Sequence, residues 1–143
     1  MSDSRADALA LIDRYFACVA AGDPAVADLF CDDVVWHTPA SPPLQGPFEG
    51  RAAVLELMGS GIGLYDPEVP LDMRRGATAA GDDHVFVEME IHGRTAAGDV
   101  YENAYVFVFT LRDGRIAEVR EHLDTLYAQR KLFDPAGQSS PLG

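Results

Sequence analysis

The strongest constraint on the fold is a change of pattern halfway along the chain. In the second half, four strand-like stretches follow one another, and apolar and polar residues alternate along each. Short turn sequences separate them, among them Asp113-Gly114, and Asp-Gly between two alternating runs is a strong hairpin signal. Connections this short join antiparallel neighbours, so this half predicts a meander sheet. The predicted strands are Val69–Ala79, His84–Arg94, Val100–Arg112 and Arg115–Leu123.

The first half has a helical pattern instead. Leu9, Ile12 and Phe16 recur at spacings of three and four, which predicts an amphipathic helix from about Ser4 to Ala21, with Ser4 and Asp7 as a capping box. The other predicted elements are a short helix starting at Asp23-Pro24, a strand Val34–His37, an ordered loop Thr38–Gly50, a helix Arg51–Met58 ended by three glycines, and a last helical segment Thr125–Phe133.

Helices followed by strands indicate an α+β fold with the helices on one face of the sheet. We expect one domain over residues 1–134. The Pro-, Gly- and Ser-rich residues 135–143 are expected to form a mobile tail.

Charge excludes several classes of function. The chain has 23 acidic and 11 basic residues, for a net charge of −12, which disfavours nucleic acids and anionic membrane surfaces as partners. Lys131 is the one lysine, so Schiff-base chemistry would depend on it alone. Two cysteines are too few for a disulfide scaffold. With no signal-like segment and no apolar run of membrane-spanning length, we expect a cytoplasmic location.

Motifs for cofactors and metals are missing from the sequence. It has no phosphate-binding loop and no G-x-S-x-G nucleophile elbow, and its four histidines show no metal-ligand spacing. We therefore expect neither a cofactor nor a metal.

The strand Val100–Arg112 carries the most informative pattern. Alternation places Tyr101, Asn103, Tyr105 and Phe107 on one face, which either fills the core or lines an apolar pocket. A buried amide needs hydrogen-bond partners, so Asn103 either binds a ligand or satisfies backbone groups at the strand end. On the preceding strand we place the pocket on the side of Met89, because Glu88, Glu90 and His92 share the opposite face.

Three further residues have both a structural and a catalytic interpretation. Asp124 either caps the last helix or supplies a carboxylate for proton transfer. His37, beside Trp36 at the end of the first strand, is either a structural histidine or an acid/base partner. Tyr15 either lies at the edge of the first helix or points its hydroxyl into a cavity.

The order of several short motifs resembles the nuclear transport factor 2-like superfamily, and within it the SnoaL-like branch that includes polyketide cyclases and relatives of ketosteroid isomerase. The resemblance covers about residues 5–133. It rests on residues 13–16, 21–23 and 29–37, the loop 43–54, Arg112–Ile116 and Glu121–Thr125.

The resemblance implies a strongly curved antiparallel sheet wrapped around a long N-terminal helix, with an internal apolar pocket and dimers formed through the outer sheet face. In SnoaL-like cyclases the last acid of an E-H-W-D-like run is the acid/base, which implies that role for Asp124. Tyr15 matches an oxyanion-hole tyrosine of ketosteroid isomerase, but the two acids that this enzyme uses would fall at Thr38 and Val106-Phe107 and are absent. Relatives of limonene epoxide hydrolase need an Arg-x-Asp where this chain has Met89 and Ile91.

Taken together, these features predict a small cofactor-independent enzyme that moves a proton on an apolar carbonyl compound, by isomerisation, aldol-type cyclisation or dehydration. Two alternatives stay open: a non-catalytic module that binds a small hydrophobic ligand, and an epoxide hydrolase-like enzyme with a non-standard triad. The predicted catalytic residues are Asp124, His37 and Tyr15. The predicted substrate-binding residues are Trp36, Asn103, Tyr105, Phe107, Met89 and His122.

Overall fold

A computed structural model describes residues 3–39 and 46–135 of the chain. Its helices are α1 (Ser4–Ala21), α2 (Arg51–Ile62) and α3 (Thr125–Ala128), with a 3-10 helix at Pro24–Leu29 and a π-helical turn at Gln129–Phe133. Its strands are β1 (Phe30–His37), β2 (Phe48–Glu49), β3 (Asp72–Ala80), β4 (His84–Arg94), β5 (Val100–Arg112) and β6 (Arg115–Leu123). Helices therefore precede a sheet, which confirms the α+β class.

The six strands form one sheet in the order β2-β1-β6-β5-β4-β3. The meander from β3 to β6 is antiparallel, as the short turns predict. The pairing of β1 with β6 is parallel, so the sheet is mixed and not antiparallel throughout. Strand β2 falls inside the predicted loop, where Phe48 pairs with Trp36 and Glu49 with Val35.

Helix α1 has the predicted bounds but a different cap. The Asp3 side chain accepts a hydrogen bond from the Arg5 amide at 3.0 Å, so Asp3 is the N-cap. The Ser4 hydroxyl instead donates to Asp82 at 2.9 Å, which ties the start of the helix to the β3–β4 turn. The capping box predicted for Ser4 and Asp7 is therefore wrong.

Three other boundaries differ from the sequence-based expectation. Strand β1 begins at Phe30 and not at Val34, because an irregular pairing with β6 after Phe30 accommodates the exposed Asp32 and Asp33. Helix α2 runs through two of its glycines to Ile62, since a helix tolerates glycine at a cost of about 1 kcal/mol each. Strand β3 begins at Asp72, after Pro70, which has no amide hydrogen to donate to a neighbouring strand.

Helix α1 packs on one face of the sheet, called the inner face below. Tyr15 meets Phe109 of β5 edge-on with 5.4 Å between ring centroids, and Phe16 meets the same ring at 5.8 Å. At the edge of the sheet, Arg75 of β3 pairs with Asp13 at 2.7 Å and places its guanidinium over the Phe16 ring. These contacts fix the helix against the interior where the candidate site lies.

The opposite, outer face is open to solvent in the described residues. Val100, Phe86 and Val106 are exposed large apolar side chains on this face, at 50%, 48% and 37%. None of the helices in the described ranges is long and apolar enough to cross a membrane. The predicted tail lies outside the described residues from 136 onward, and so does the part of the predicted loop at 40–45.

A pair of phenylalanine substitutions tests this assignment of faces. Phe109→Ala, at a fully buried position, should lower the free energy of unfolding by about 3–5 kcal/mol. Phe86→Ala, on the outer face, should change it by about 0.5 kcal/mol or less. Urea denaturation of both variants measures the difference, and equal losses would show that the two faces are wrongly assigned.

Candidate functional site

The inner face of β5 is a row of buried aromatic rings. Tyr105 and Phe107 stack with 5.7 Å between centroids and parallel planes. Trp36 of β1 meets Phe107 edge-on at 6.3 Å. All three side chains are less than a tenth exposed, so they form a dry, flat-sided wall. Rings arranged in this way either fill a core or line an apolar pocket.

Among the described residues, one carboxyl group projects into this wall, that of Glu121, whose side chain as a whole is half-buried. Alternation along β6 places Glu121 on the same face as the buried Val119, and the strand register sets it directly opposite Phe107. The indole N–H of Trp36 donates to Glu121 Oε1 at 3.4 Å, a long and weak hydrogen bond.

Burial controls the charge of this carboxyl group. Loss of solvent raises the pKa of Glu121 from its ordinary value of 4.5 to about 7, and the bond from Trp36 offsets only part of that rise. Glu121 is therefore present in both protonation states near neutral pH. A group in that condition can both accept and return a proton.

Tyr15 of α1 lies in the same interior, where the charge of Glu121 acts on it. It is 4% exposed, and burial, followed by the negative charge of Glu121, raises its pKa far above the ordinary value. It therefore stays protonated at physiological pH. Among the described residues its hydroxyl has no hydrogen-bond partner, so it retains a proton to donate.

A second group of phenols lies at the β4–β5 end of the inner face. The Tyr101 and Tyr105 hydroxyls are 2.6 Å apart, and the Tyr65 ring packs edge-on against Tyr101 with 5.5 Å between centroids. Burial is the largest cause that raises the pKa of each. The negative charge of Glu121 also acts on Tyr65 and Tyr105, so this phenol cluster and the carboxyl group share one interior.

The structure brings together most of the residues predicted to bind substrate. Five of the six are buried in the interior: Trp36, Met89, Asn103, Tyr105 and Phe107. The predicted catalytic residue Tyr15 is buried there too. Asn103 Nδ2, however, donates hydrogen bonds to Tyr101 Oη at 2.9 Å and to the backbone oxygen of Asp124 at 3.1 Å. Direct contact between Asn103 and a ligand stays a prediction, and the two hydrogens are already used inside the protein.

Three predicted residues lie elsewhere. The Asp124 carboxylate is exposed and accepts from the Tyr127 amide at 3.0 Å, which confirms the capping interpretation and points it away from the wall. His37 alternates with the buried Trp36 and so falls on the outer face, where its Nε2 is 3.9 Å from Glu118. His122 is exposed beside the inward Glu121. Catalytic use of these residues stays a prediction that the geometry does not favour.

The sequence-based candidates omit two residues of this interior. Glu121 could be found from alternation, because counting inward positions from Val119 along β6 reaches it directly. Tyr65 carries no such signal. It lies on the segment after α2 and is held beside the sheet by an isolated bridge to Thr95. Within residues 3–39 and 46–135 there is no group of three or more potential metal ligands.

Replacing Glu121 with Gln tests the buried carboxyl group through stability. Between pH 4.5 and about 7 the folded protein holds a proton on Glu121 that the unfolded chain has released. Stability then falls as pH rises through this window, because the unfolded state binds fewer protons than the folded state. Removing the carboxyl group removes that fall. The free energy of unfolding of Glu121→Gln, measured relative to that of wild type, should therefore rise by about 3 kcal/mol between about pH 4 and about pH 8.

Urea denaturation at a series of pH values measures this gain. The matched control is Glu118→Gln, which removes a carboxylate from the outer face of the same strand, where it pairs with Arg120 at 2.8 Å. A difference between wild type and Glu121→Gln that stays constant with pH would contradict a buried, titrating Glu121.

Comparison with known proteins agrees with this architecture. A protein from Jannaschia sp. CCS1, provisionally named as a SnoaL-like polyketide cyclase, has a TM-score of 0.77 at 15% identity over 92% of this chain and 95% of its own. A protein from Bacillus subtilis, provisionally named as an isomerase, has a TM-score of 0.77 at 20% identity over 91% and 95%.

A third structure, TerC co-crystallised with polyporic acid, has a TM-score of 0.76 at 18% identity over 88% of this chain and 98% of its own. At these identities the structural matches establish the fold alone. A search of curated protein sequences gave no significant match. The family model of the SnoaL-like domain matches residues 12–119, and the chain therefore belongs to the SnoaL-like domain family.

Proposed function

We propose that this protein transfers a proton on an apolar carbonyl compound bound against the aromatic wall, with Glu121 as the acid/base. The observation that carries the proposal is the carboxyl group itself. It is the inward residue of β6 opposite Phe107, and burial raises its pKa to about 7. A base that is half ionised near neutral pH suits removal of a proton from carbon next to a carbonyl group.

The chemistry needs no redox partner. Ionised Glu121 takes a proton from the carbon next to the carbonyl group, and the electron pair of the broken C–H bond moves onto the carbonyl oxygen to give an enolate. Protonated Glu121 then returns the proton to the same carbon, to another carbon or to a leaving oxygen. These outcomes correspond to exchange, isomerisation and dehydration.

Neutral phenols stabilise the enolate in this proposal. A developing oxyanion is stabilised by donors that are already in place and shielded from water. Tyr15 has a hydroxyl proton without a protein acceptor among the described residues, and Tyr105 belongs to the phenol cluster. Trp36, Phe107 and Met89 supply the apolar surface around the ring system.

Two relatives support the reaction class by name, since they are provisionally called a polyketide cyclase and an isomerase. The polyporic acid in the TerC crystals supports an aromatic, oxygen-bearing ligand. We also propose a homodimer through the outer face, supported by the exposed Phe86 and Val106 there. The ligand and the dimer are both part of the proposal.

Hydrogen–deuterium exchange of 2-tetralone in heavy water tests the assignment of Glu121. Wild type should accelerate exchange at the carbon next to the carbonyl group, and Glu121→Gln should lower that rate by about a hundredfold or more. Proton NMR measures the loss of signal directly, without knowledge of the physiological substrate.

Asp124→Asn is the matched control, because asparagine caps a helix about as well as aspartate but carries no acid. It should exchange 2-tetralone at the wild-type rate. Loss of exchange in Asp124→Asn and its retention in Glu121→Gln would return the acid/base role to Asp124. A wild type that binds 2-tetralone without accelerating exchange would contradict catalysis and favour the non-catalytic binding module.

A further inference from the structure

Asn103 lies at the buried end of a chain of hydrogen bonds that runs through the phenol cluster. Its Nδ2 atom donates to Tyr101 Oη at 2.9 Å and to the backbone oxygen of Asp124 at 3.1 Å. Its Oδ1 atom accepts from the backbone amide of Ala104 at 2.9 Å. Both N–H donors and one of the two oxygen lone pairs of this buried amide are therefore directed at fixed partners.

The backbone fixes which way the amide points. A backbone N–H can only donate, so the atom facing Ala104 must be the amide oxygen. A backbone carbonyl oxygen can only accept, so the atom facing Asp124 must be the amide nitrogen. These two contacts agree on the orientation of the amide, and it follows that Tyr101 Oη accepts a hydrogen bond from Asn103 Nδ2.

The direction of the next bond follows from this. The Tyr101 proton needs an acceptor, and besides Asn103, which donates, the one hydrogen-bond partner of Tyr101 Oη among the described residues is Tyr105 Oη, 2.6 Å away. Tyr101 is fully buried, so no water competes for that proton. The chain thus runs from Asn103 through Tyr101 to Tyr105.

A count of protons shows what remains at the far end. Tyr105 accepts the proton of Tyr101, so its own proton needs a different acceptor. Among the described residues, Tyr105 Oη has no second hydrogen-bond partner. Its proton is therefore left over at the end of the chain, where the charge of Glu121 also acts.

We infer that Asn103 is a positioning residue that orients the phenol chain so that its last proton is presented to a ligand oxygen. The end of the ligand at Tyr105 must then be a hydrogen-bond acceptor, such as a ketone, quinone or enolate oxygen, and not a donor. The inference rests on the proposed carbonyl-binding function and specifies which end of the interior holds the oxygen.

Infrared spectroscopy of bound 2-tetralone labelled with ¹³C at the carbonyl group tests the direction of the chain. In wild type, the carbonyl stretching frequency of the bound compound should lie below its value in hexane. Asn103→Asp should abolish this shift. A carboxylate at position 103 accepts a hydrogen bond from Tyr101, which reverses the chain and leaves no proton for the ligand oxygen. Asn103→Ala, which adds no charge, should weaken the shift. The control Tyr127→Phe should retain it, since that hydroxyl accepts from the Glu102 amide outside the chain.

Glu121→Gln should keep the carbonyl shift while it loses exchange, which separates this inference from the acid/base proposal. In wild type, 2-tetralone should also bind about fivefold more tightly than tetralin, which lacks the oxygen, as expected for one net hydrogen bond. An unshifted carbonyl in wild type, equal affinity for the two compounds, or an undiminished shift in folded Asn103→Asp would each overturn the inference.

Discussion

The register between β5 and β6 is the constraint on which the rest of the interior depends. It places Glu121 directly opposite Phe107, with Val119 and Leu123 on the same face of β6. A shift of one residue would turn Arg120 and His122 inward and expose the carboxyl group, because neighbouring side chains point to opposite faces. The position of the carboxyl group opposite Phe107 follows from this pairing, and the contact from Trp36 follows from the neighbouring pairing of β1 with β6.

Desolvation has opposite consequences for the two kinds of acid in this interior. It raises the pKa of Glu121 into the neutral range, where the group gains and loses a proton readily. The same effect raises the pKa values of Tyr15, Tyr65 and Tyr105 further above neutrality, so those groups remain donors. One dry environment thus supports both a proton carrier and fixed hydrogen-bond donors, a division of roles that proton transfer next to a carbonyl group requires.

Helical spacing predicted the bounds of α1, and alternation and turn chemistry predicted those of β4 to β6, because these features are local. Alternation also placed Tyr105 and Phe107 inward. The parallel pairing of β1 with β6 is long-range, and no local pattern signals it. The same alternation predicts that Glu121 points inward, whereas the resemblance to E-H-W-D-like runs implies Asp124, three residues later, as the acid/base. Alternation with Trp36 also predicts the outward position of His37. The position of Tyr65 depends on the bridge to Thr95 and could not be predicted.

The central claim is that the Glu121 carboxyl group is buried among aromatic rings and titrates near neutrality. NMR titration of the ¹³C-labelled glutamate side chains, with the Glu121 signal assigned by its loss in Glu121→Gln, measures this directly. The structure predicts a midpoint at about pH 7. A midpoint at the ordinary value of 4.5 would show that water reaches the carboxyl group, and would contradict both the dry interior and the acid/base role assigned to it.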